Sequence, residues 1–234
     1  METLSQSFAT AARLIASGDL KLAAIVLLSL KVSITAVTLA SLLGLPAGAA
    51  LAVARFPGRQ TLTVILNGFM GLPPVLVGLV VYLLLSRAGP LGGLGILFTP
   101  AAMVIAQTIL IVPIVAALTR QVIEDAWREY HDQLRSLGAT PMRASITLLW
   151  DTRFSLFTVL LAAFGRAAAE VGAVMIVGGN IDGVTRVMTT TIALETSKGD
   201  LALALALGVI LLALILLVNA AAHATRVWAT RHYG

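Results

Sequence analysis

The chain has 234 residues, of which 59% are hydrophobic and 12% are charged. Soluble domains contain about 45–50% apolar and about 25% charged residues, so the composition excludes an ordinary soluble domain and indicates an integral membrane protein. The absence of cysteine excludes disulfides and thiolate metal sites, and the three histidines are too scattered to predict a metal centre. The net charge of +5 includes no basic run of the kind that binds nucleic acid.

The N-terminal segment, residues 1–21, lacks the features of a signal peptide, because Glu2 is acidic and no basic residue precedes Arg13. The apolar face of a weak amphipathic helix resting in the membrane interface would consist of Leu4, Phe8, Ala11 or Ala12, and Ile15. A frayed terminus is the alternative, and the sequence leaves both interpretations open.

Five apolar stretches follow, and each is long enough to cross the ~30 Å hydrocarbon core of a bilayer as a helix. We therefore expect an all-α polytopic membrane protein with a single transmembrane domain over residues 1–234. Lys31 in the first stretch would snorkel to one surface, while Gly44 and Gly48 would allow close packing against a neighbouring helix. The five stretches are residues 22–53, 61–85, 100–118, 154–177 and 201–224.

Two consecutive prolines, Pro73 and Pro74, lie in the middle of the second stretch. Each proline removes a backbone donor, so the helix must bend or break there. Irregular backbone at membrane depth is tolerated where it is buried in protein or lines a wet cavity. The prolines therefore mark either a translocation path or a simple kink, and both interpretations remain open.

Residues 119–153 form a polar island that holds ten charged side chains. A bilayer core penalises each charge by several kcal/mol, so the island must lie outside the membrane. Its apolar residues recur at spacings of three and four, which predicts one face of an amphipathic helix. The residues of this face are Ile123, Trp127, Tyr130, Leu134 and Leu137.

A sharp turn is predicted in the middle of the island. Gly138 suits the left-handed residue that ends a helix. Thr140 can cap the next helix, and Pro141 fits its first turn, where no N–H group is needed. The island therefore predicts a helix, a turn and a second helix.

The fourth stretch carries two charges, Arg166 and Glu170. Because they lie four residues apart, they would share one face of a continuous helix. Arg166 would lie about 18 Å along the helix from Phe154, near mid-membrane, at ~1.5 Å per residue. Such residues face the bundle interior or a water-filled path. The pair is either a gate in an anion pathway or a salt bridge between packed helices, and the sequence leaves both open.

Basic residues are unevenly shared between the two sides that five spans define. The side with the island and the C terminus carries nine Lys and Arg residues, and the opposite side carries five. Because basic residues collect in the cytoplasm, we expect the island and the C terminus to be cytoplasmic and the N terminus to be outside.

The island resembles the coupling "EAA" loop of ABC-transporter permeases, in which Glu-Ala-Ala is followed after three residues by Gly and later by Ile-x-Leu-Pro. Gly138 matches the Gly, and Asp132 stands at the Glu position. The two Ala are replaced by Gln133 and Leu134, and Leu148 takes the Ile position, but Trp150-Asp151 replaces Leu-Pro. The coupling residues that this resemblance implies are Asp132, Arg135, Leu137, Gly138, Ala139, Thr140, Pro141 and Arg143.

A second resemblance covers nearly the whole chain, from about residue 20 to about residue 225. The run from Ala169 to Ala173 is similar to the (S/G)-E-(F/V)-G-A segment of permeases for tungstate, molybdate and sulfate uptake, and the longer run to Asp200 is closest to the tungstate branch. The resemblance implies the MetI-like fold of type I ABC importers. The candidate residues of the translocation path or gate are Pro73, Pro74, Arg166, Glu170, Gly172 and Asn180.

Members of that family form homodimers in the prokaryotic inner membrane and carry no ATP site. The resemblance therefore implies two cytoplasmic ABC ATPase subunits that bind ATP, and an extracytoplasmic binding protein that delivers the anion. It also implies alternating access, no catalytic residue and no cofactor in this chain, which contains no Gly-x4-Gly-Lys-Ser/Thr motif.

Tungstate is the expected substrate, with molybdate or sulfate as alternatives. An ion-coupled secondary transporter would instead use Arg166 and Glu170 as a proton relay and would need no ATPase. A membrane scaffold without transport would use the island only for docking.

Overall fold

The computed structural model describes residues 8–10, 12–13 and 16–233, with side chains described to Ala224 except at 222 and 223. The regular elements of this described part are all helical, as the sequence predicts. Of the predicted interfacial segment, Leu4, Ala11 and Ile15 lie outside the described residues, while Phe8 is helical and 48% exposed.

Between Leu20 and Tyr233 the chain forms long helices, short helices and one brief 3₁₀ turn at Gly92–Leu94. The helices are α1 (Leu20–Val53), α2 (Arg59–Phe69), α3 (Pro74–Leu85), α4 (Pro100–Ser136), α5 (Pro141–Asp151), α6 (Arg153–Ala168), α7 (Gly172–Gly178), α8 (Met188–Lys198) and α9 (Leu201–Tyr233).

Three helices of the described part are by themselves long and apolar enough to cross a membrane, namely α1, α4 and the segment Leu201–Ala221 of α9. Two interrupted pairs, α2 with α3 and α5 with α6, would bring the number of spans to five if each pair is one span. The first, third and fifth predicted stretches are thus continuous helices. The second is broken next to Pro73, as the two prolines predict.

The prediction of a continuous fourth helix is wrong. The helix ends at Ala168, and a separate helix begins at Gly172, so Glu170 lies in a break. Arg166 and Glu170 therefore do not share one helix face. The polar stretch that follows contains a further helix, α8, and the predicted C-terminal tail continues the backbone of α9.

The chain divides into two compact units. The first unit contains residues up to Thr35, Pro73–Gln107 and Ala167–Asn219, and the second contains Ala36–Leu72, Thr108–Arg166 and the residues from Ala220 onward. In the first unit, α3 packs against α7, and Leu22, Met188 and Leu207 form a buried apolar cluster.

In the second unit, α1 packs closely against α4 through two glycines. A Cβ on Gly48 would lie 2.4 Å from the Ala116 carbonyl oxygen and 2.8 Å from Thr119 Cβ. A Cβ on Gly44 would lie 2.9 Å from Val115 Cβ. Only glycine permits this approach of the two backbones, which confirms the predicted role of these small residues.

Candidate functional site

The polar island folds as the predicted hairpin, which we call the coupling hairpin: the end of α4, the turn at residues 137–140, and α5. The turn residue Gly138 has φ +69°. Gly138 N–H donates to the Arg135 carbonyl at 2.9 Å, and Ala139 N–H donates to the Leu134 carbonyl at 2.9 Å. These two bonds satisfy carbonyls at the C terminus of α4, an arrangement that requires a left-handed residue at Gly138.

The second arm of the hairpin begins as the sequence predicts. Thr140 is extended, at φ −70° and ψ 156°, and its side chain accepts a hydrogen bond from Arg143 N–H. Pro141 occupies the first position of α5, where its missing N–H group has no helical partner to lose. Three local rules therefore agree on where α4 ends and α5 begins.

The inner face of the hairpin packs into the core of the second unit. Ile123 and Ala126 of α4 lie in one buried cluster with Ala144 and Leu148 of α5, and Trp127, Tyr130 and Leu134 pack against it. Residues from the end of α1 complete the same cluster, and they are Ala49, Ala52 and Val53. The hairpin is thus fixed by contacts between its two helices, α4 and α5, and by contacts with the end of α1. Leu137 does not belong to this face as predicted, because it is 81% exposed.

The outer face of the hairpin carries an exposed apolar stripe. Met142, Ile146 and Trp150 follow one another at intervals of four along α5 and are 70%, 57% and 72% exposed. Leu137 in the turn is 81% exposed, and we call these four exposed side chains the outer stripe. Burying a large apolar side chain contributes about 1.5–3 kcal/mol, so four such side chains are costly to leave in water and typical of a docking surface.

The predicted coupling residues lie between Asp132 and Arg143 and include Leu137 of the outer stripe. Ala139 is half-buried, and the other seven predicted residues are exposed. The sequence prediction missed Met142, Ile146 and Trp150. These three residues recur every four positions on one face of α5, and Ala144 and Leu148 recur with the same spacing on the buried face. This spacing is the signal that could have separated the two faces.

Glu124 joins the hairpin to the end of α1 through a cluster of arginines. Its carboxylate lies 3.4 Å from Arg59 and 3.8 Å from Arg128, and it also pairs with Arg120. Arg59 in turn donates to the carbonyls of Leu51 at 2.8 Å and Ala52 at 3.1 Å, at the C terminus of α1. A cation there complements the negative end of the helix dipole.

The second candidate site is the break between α6 and α7, in the first unit. Glu170 is only 3% exposed, and its Oε1 accepts a hydrogen bond from Ala173 N–H at 3.2 Å. Its backbone carbonyl accepts a hydrogen bond from Thr189 Oγ1 at 2.8 Å. The carboxylate therefore caps the start of α7 and satisfies a backbone donor that the break leaves open.

Glycines on both sides of the α3–α7 contact explain its closeness. A Cβ on Gly172 would lie 2.9 Å from Val75 Cγ2, and a Cβ on Gly78 would lie 2.8 Å from Ala173 Cα. Pro73 and Pro74 lie at the start of α3, the helix that packs against α7. The structure thus brings Glu170, Gly172 and the two prolines to the same pair of helices.

Buried polar side chains gather around the break. Ser29, Ser33, Gln107, Glu170 and Thr189, which we call the buried polar cluster, line a cavity of about 10 Å³. Gln107 Nε2 donates to the Ala167 carbonyl at 3.0 Å, while its Oε1 has no hydrogen-bond partner among the described residues. A cavity of this size holds at most about one water molecule.

The other two predicted path residues lie apart from the cluster lining. Arg166 is half-buried near the end of α6. Asn180 follows α7 with φ +50°, and its side chain is bonded to Thr190, with Thr190 Oγ1 donating to Asn180 Oδ1 at 2.9 Å. Ser29, Ser33, Gln107 and Thr189 were not predicted. The first three are single polar residues within apolar stretches and carry no periodic signal, and Thr189 lies in a polar stretch where nothing distinguishes it from its neighbours.

The sequence of the chain is similar to those of known membrane transport proteins. Residues 40–226 match the family described as "Binding-protein-dependent transport system inner membrane component". A "Probable anion ABC transporter permease protein" of Haloferax volcanii is 43% identical over 213 residues, which are 88% of this chain and 92% of that protein. A "Tungstate uptake system permease protein TupB" of Peptoclostridium acidaminophilum is 40% identical over 220 residues, or 94% of this chain and 96% of its own length. The protein of the same name in Campylobacter jejuni is 39% identical over 168 residues, covering 72% of this chain and 70% of its own.

Proposed function

Because the chain belongs to the family of binding-protein-dependent transport system inner membrane components, we propose that it is the permease subunit of an ATP-driven importer of tungstate. The similarity to tungstate uptake permeases over most of the chain favours this substrate over molybdate and sulfate. The observation that carries the ATP-driven part of the proposal is the outer stripe, an exposed apolar surface on a rigidly held hairpin.

The energy for transport comes from partners in this proposal. Two cytoplasmic ABC ATPases bind ATP and dock on the coupling hairpins of a homodimer, and an extracytoplasmic binding protein delivers the oxyanion. The hairpin and the C terminus are cytoplasmic, and the N terminus lies outside. The outer stripe supplies apolar docking area, and the exposed Arg135 and Arg143 supply charges that orient the partner.

The hairpin acts as a lever in alternating access. Closure of the ATPases moves α5, and the cluster shared by α5, α4 and α1 carries this motion into the second unit. The Glu124–arginine contacts hold the end of α1 to α4 in the same way. Hydrolysis then returns the transporter to its inward-open state.

The permease offers the oxyanion only transient hydrogen-bond donors. A tight site at mid-membrane would slow release, so selectivity resides in the binding protein. Pro73, Pro74, Arg166, Glu170, Gly172 and Asn180 are the path and gate residues of the proposal. Tight tungstate binding by the purified permease alone, measured by calorimetry, would refute this part.

The decisive experiment measures uptake of labelled tungstate and ATP hydrolysis in vesicles that contain the permease, ATPase and binding protein. Gly138→Leu should leave the protein in the membrane but uncouple hydrolysis from uptake, because the turn needs φ +69°. Gly58→Leu is the matched control: Gly58 has φ +88° and, like Gly138, open space around it, but it lies outside the hairpin. Uptake that remains coupled in Gly138→Leu would contradict the assignment.

A second variant tests the outer stripe itself. Ile146→Ser should weaken binding of the ATPase by about tenfold, because an apolar anchor of a docking surface contributes more than about 1 kcal/mol. Leu212→Ser on α9 is the control, since Leu212 and Ile146 are 58% and 57% exposed. Uptake that needs no ATP would favour the secondary transporter, and absence of uptake with every partner present would favour the scaffold.

A further inference from the structure

The second unit contains an apolar groove that the transport proposal does not use. The groove has a volume of about 610 Å³ and lies between the second half of α1 and the α5–α6 region. Leu42 and Leu45 form one wall, and Leu156, Phe157 and Leu160 form the other. On α6 the lining extends from residue 153 to residue 160, which is roughly 10 Å at ~1.5 Å per residue.

One cation, Arg153, lies at the end of this groove. Its guanidinium lies 5.0 Å from the ring centre of Trp150 and 4.6 Å from that of Phe154. Its Nη1 donates to the Trp150 carbonyl at 2.8 Å. These contacts fix the guanidinium at the bend between α5 and α6, where the two helices meet at 76°.

Arg153 has unused capacity for an anion. Arginine carries five N–H donors, and the described residues accept only one of those of Arg153. No carboxylate of the described residues forms a salt bridge with it. A guanidinium favours phosphate because its planar fork matches two phosphate oxygens.

Arg153 begins α6 at the point where the polar island ends and an apolar stretch starts, a position suited to the level of lipid headgroups. Trp150 is 72% exposed and stacks with Arg153, and tryptophan is enriched where a membrane meets water. The groove then extends from this level along apolar side chains. Two hydroxyl side chains line this wall. Ser41 Oγ donates to the Val37 carbonyl at 2.6 Å, and Thr38 also has an interaction partner, so neither is left free toward an acyl chain.

We propose that this groove binds one anionic phospholipid, with an acyl chain along the groove and the headgroup phosphate on Arg153. Charge complementarity selects the occupant, because lipid tails are as apolar as leucine and the walls alone do not distinguish one lipid from another. A second copy of the chain would have to bring its own anion to Arg153, whereas a phospholipid carries one in register with its tail. Basic pockets between membrane helices bind anionic headgroups in the same way.

The test compares phosphatidylglycerol with phosphatidylcholine of the same chain length, titrated onto the purified full-length chain and counted by native mass spectrometry. We expect one tightly held phosphatidylglycerol per chain and about fivefold preference over phosphatidylcholine, equivalent to about 1 kcal/mol per basic residue. Arg153→Gln should abolish the preference. Arg128→Gln should retain it, since Arg128 is 72% exposed on α4 and does not line the groove.

Two further variants keep the inference open to refutation. Ser41→Leu narrows the groove and should weaken binding of both lipids equally, because it leaves Arg153 in place. The chain has no cysteine, so Phe157→Cys introduces a single thiol into the groove wall. Efficient disulfide formation between two chains in native membranes would show that a second copy covers the groove. That result, equal binding of the two lipids by the unmodified chain, or an unchanged preference in Arg153→Gln would overturn the proposal, and none of these measurements depends on transport.

Discussion

The coupling hairpin and the buried polar cluster place their polar groups in opposite environments. In the hairpin, Asp132, Arg135 and Arg143 are exposed, and Ser145 is the one polar side chain among the three buried residues of α5. In the cluster, Glu170 and Gln107 are 3% and 4% exposed and are bonded to backbone groups. The difference teaches that the hairpin can lose a surface residue without losing its fold, whereas a residue of the cluster serves structure whatever else it does.

The largest expected effect concerns the close contact between α1 and α4 at Gly48, next to the hairpin. Gly48→Leu places side-chain atoms where Ala116 O and Thr119 Cβ already lie, at the base that holds the hairpin. We expect a loss of about 3 kcal/mol or more in the free energy of unfolding, since overpacking a dense contact costs about 1–3 kcal/mol and here backbone must move. Folded yield in detergent, measured by size-exclusion chromatography, reports the result.

Gly68→Leu is the control for that variant. Gly68 lies in α2, and a Cβ there meets nothing within 4 Å. Folded yield should therefore be unchanged. Equal losses in the two variants would show that any enlarged glycine is harmful and that the base of the hairpin has no special role.

The next effect concerns the cap of α7. Glu170→Ala should lower the free energy of unfolding by about 2 kcal/mol, because it leaves the buried Ala173 N–H without an acceptor. Glu170→Gln keeps an accepting oxygen for Ala173 N–H and should therefore lose less stability than Glu170→Ala. Thermal unfolding in detergent measures both variants.

Transport by Glu170→Gln decides between the two open roles of this residue. Retained uptake would show that Glu170 has a structural role, stabilising the break between α6 and α7. Lost uptake at preserved stability identifies the charge as part of the gate. A Gln variant as unstable as the Ala variant would contradict the capping role.

A smaller effect is expected within the cluster itself. Gln107→Leu removes the bond to the Ala167 carbonyl but also removes an oxygen that has no partner in the described part of the chain. The two consequences partly cancel, so the loss should be about 1 kcal/mol or less. A loss above about 3 kcal/mol in thermal unfolding would indicate that Gln107 Oε1 is bonded through a water molecule that the cavity holds.

The smallest effect on stability belongs to the hairpin. Thr140→Ala removes one capping bond at the start of α5, an exposed bond of 3.4 Å, and should cost about 0.5–1 kcal/mol. Thr140→Ser retains a capping hydroxyl and serves as the control. A loss as large as that of Glu170→Ala would remove the contrast between the two regions.

Local rules were sufficient for the hairpin and insufficient elsewhere. Gly138, Thr140 and Pro141 each have a conformational preference that acts within a few residues, so the turn was predicted to the residue. Leu137 was assigned to the buried face by spacing alone, but the helix ends one residue earlier and its side chain points to solvent. The break at Glu170 was missed because neither proline nor a charge pattern marks it.

The apolar composition, the five stretches and the turn chemistry determined by themselves that this chain is a helical membrane protein with a polar hairpin. They do so because bilayer partitioning and backbone capping depend on residues close together in sequence. Tertiary structure alone decided that Glu170 caps a new helix, that Gly48 and Gly78 allow backbones to touch, and that only one face of α5 is free. These features depend on contacts between residues far apart in the chain, which no local pattern records.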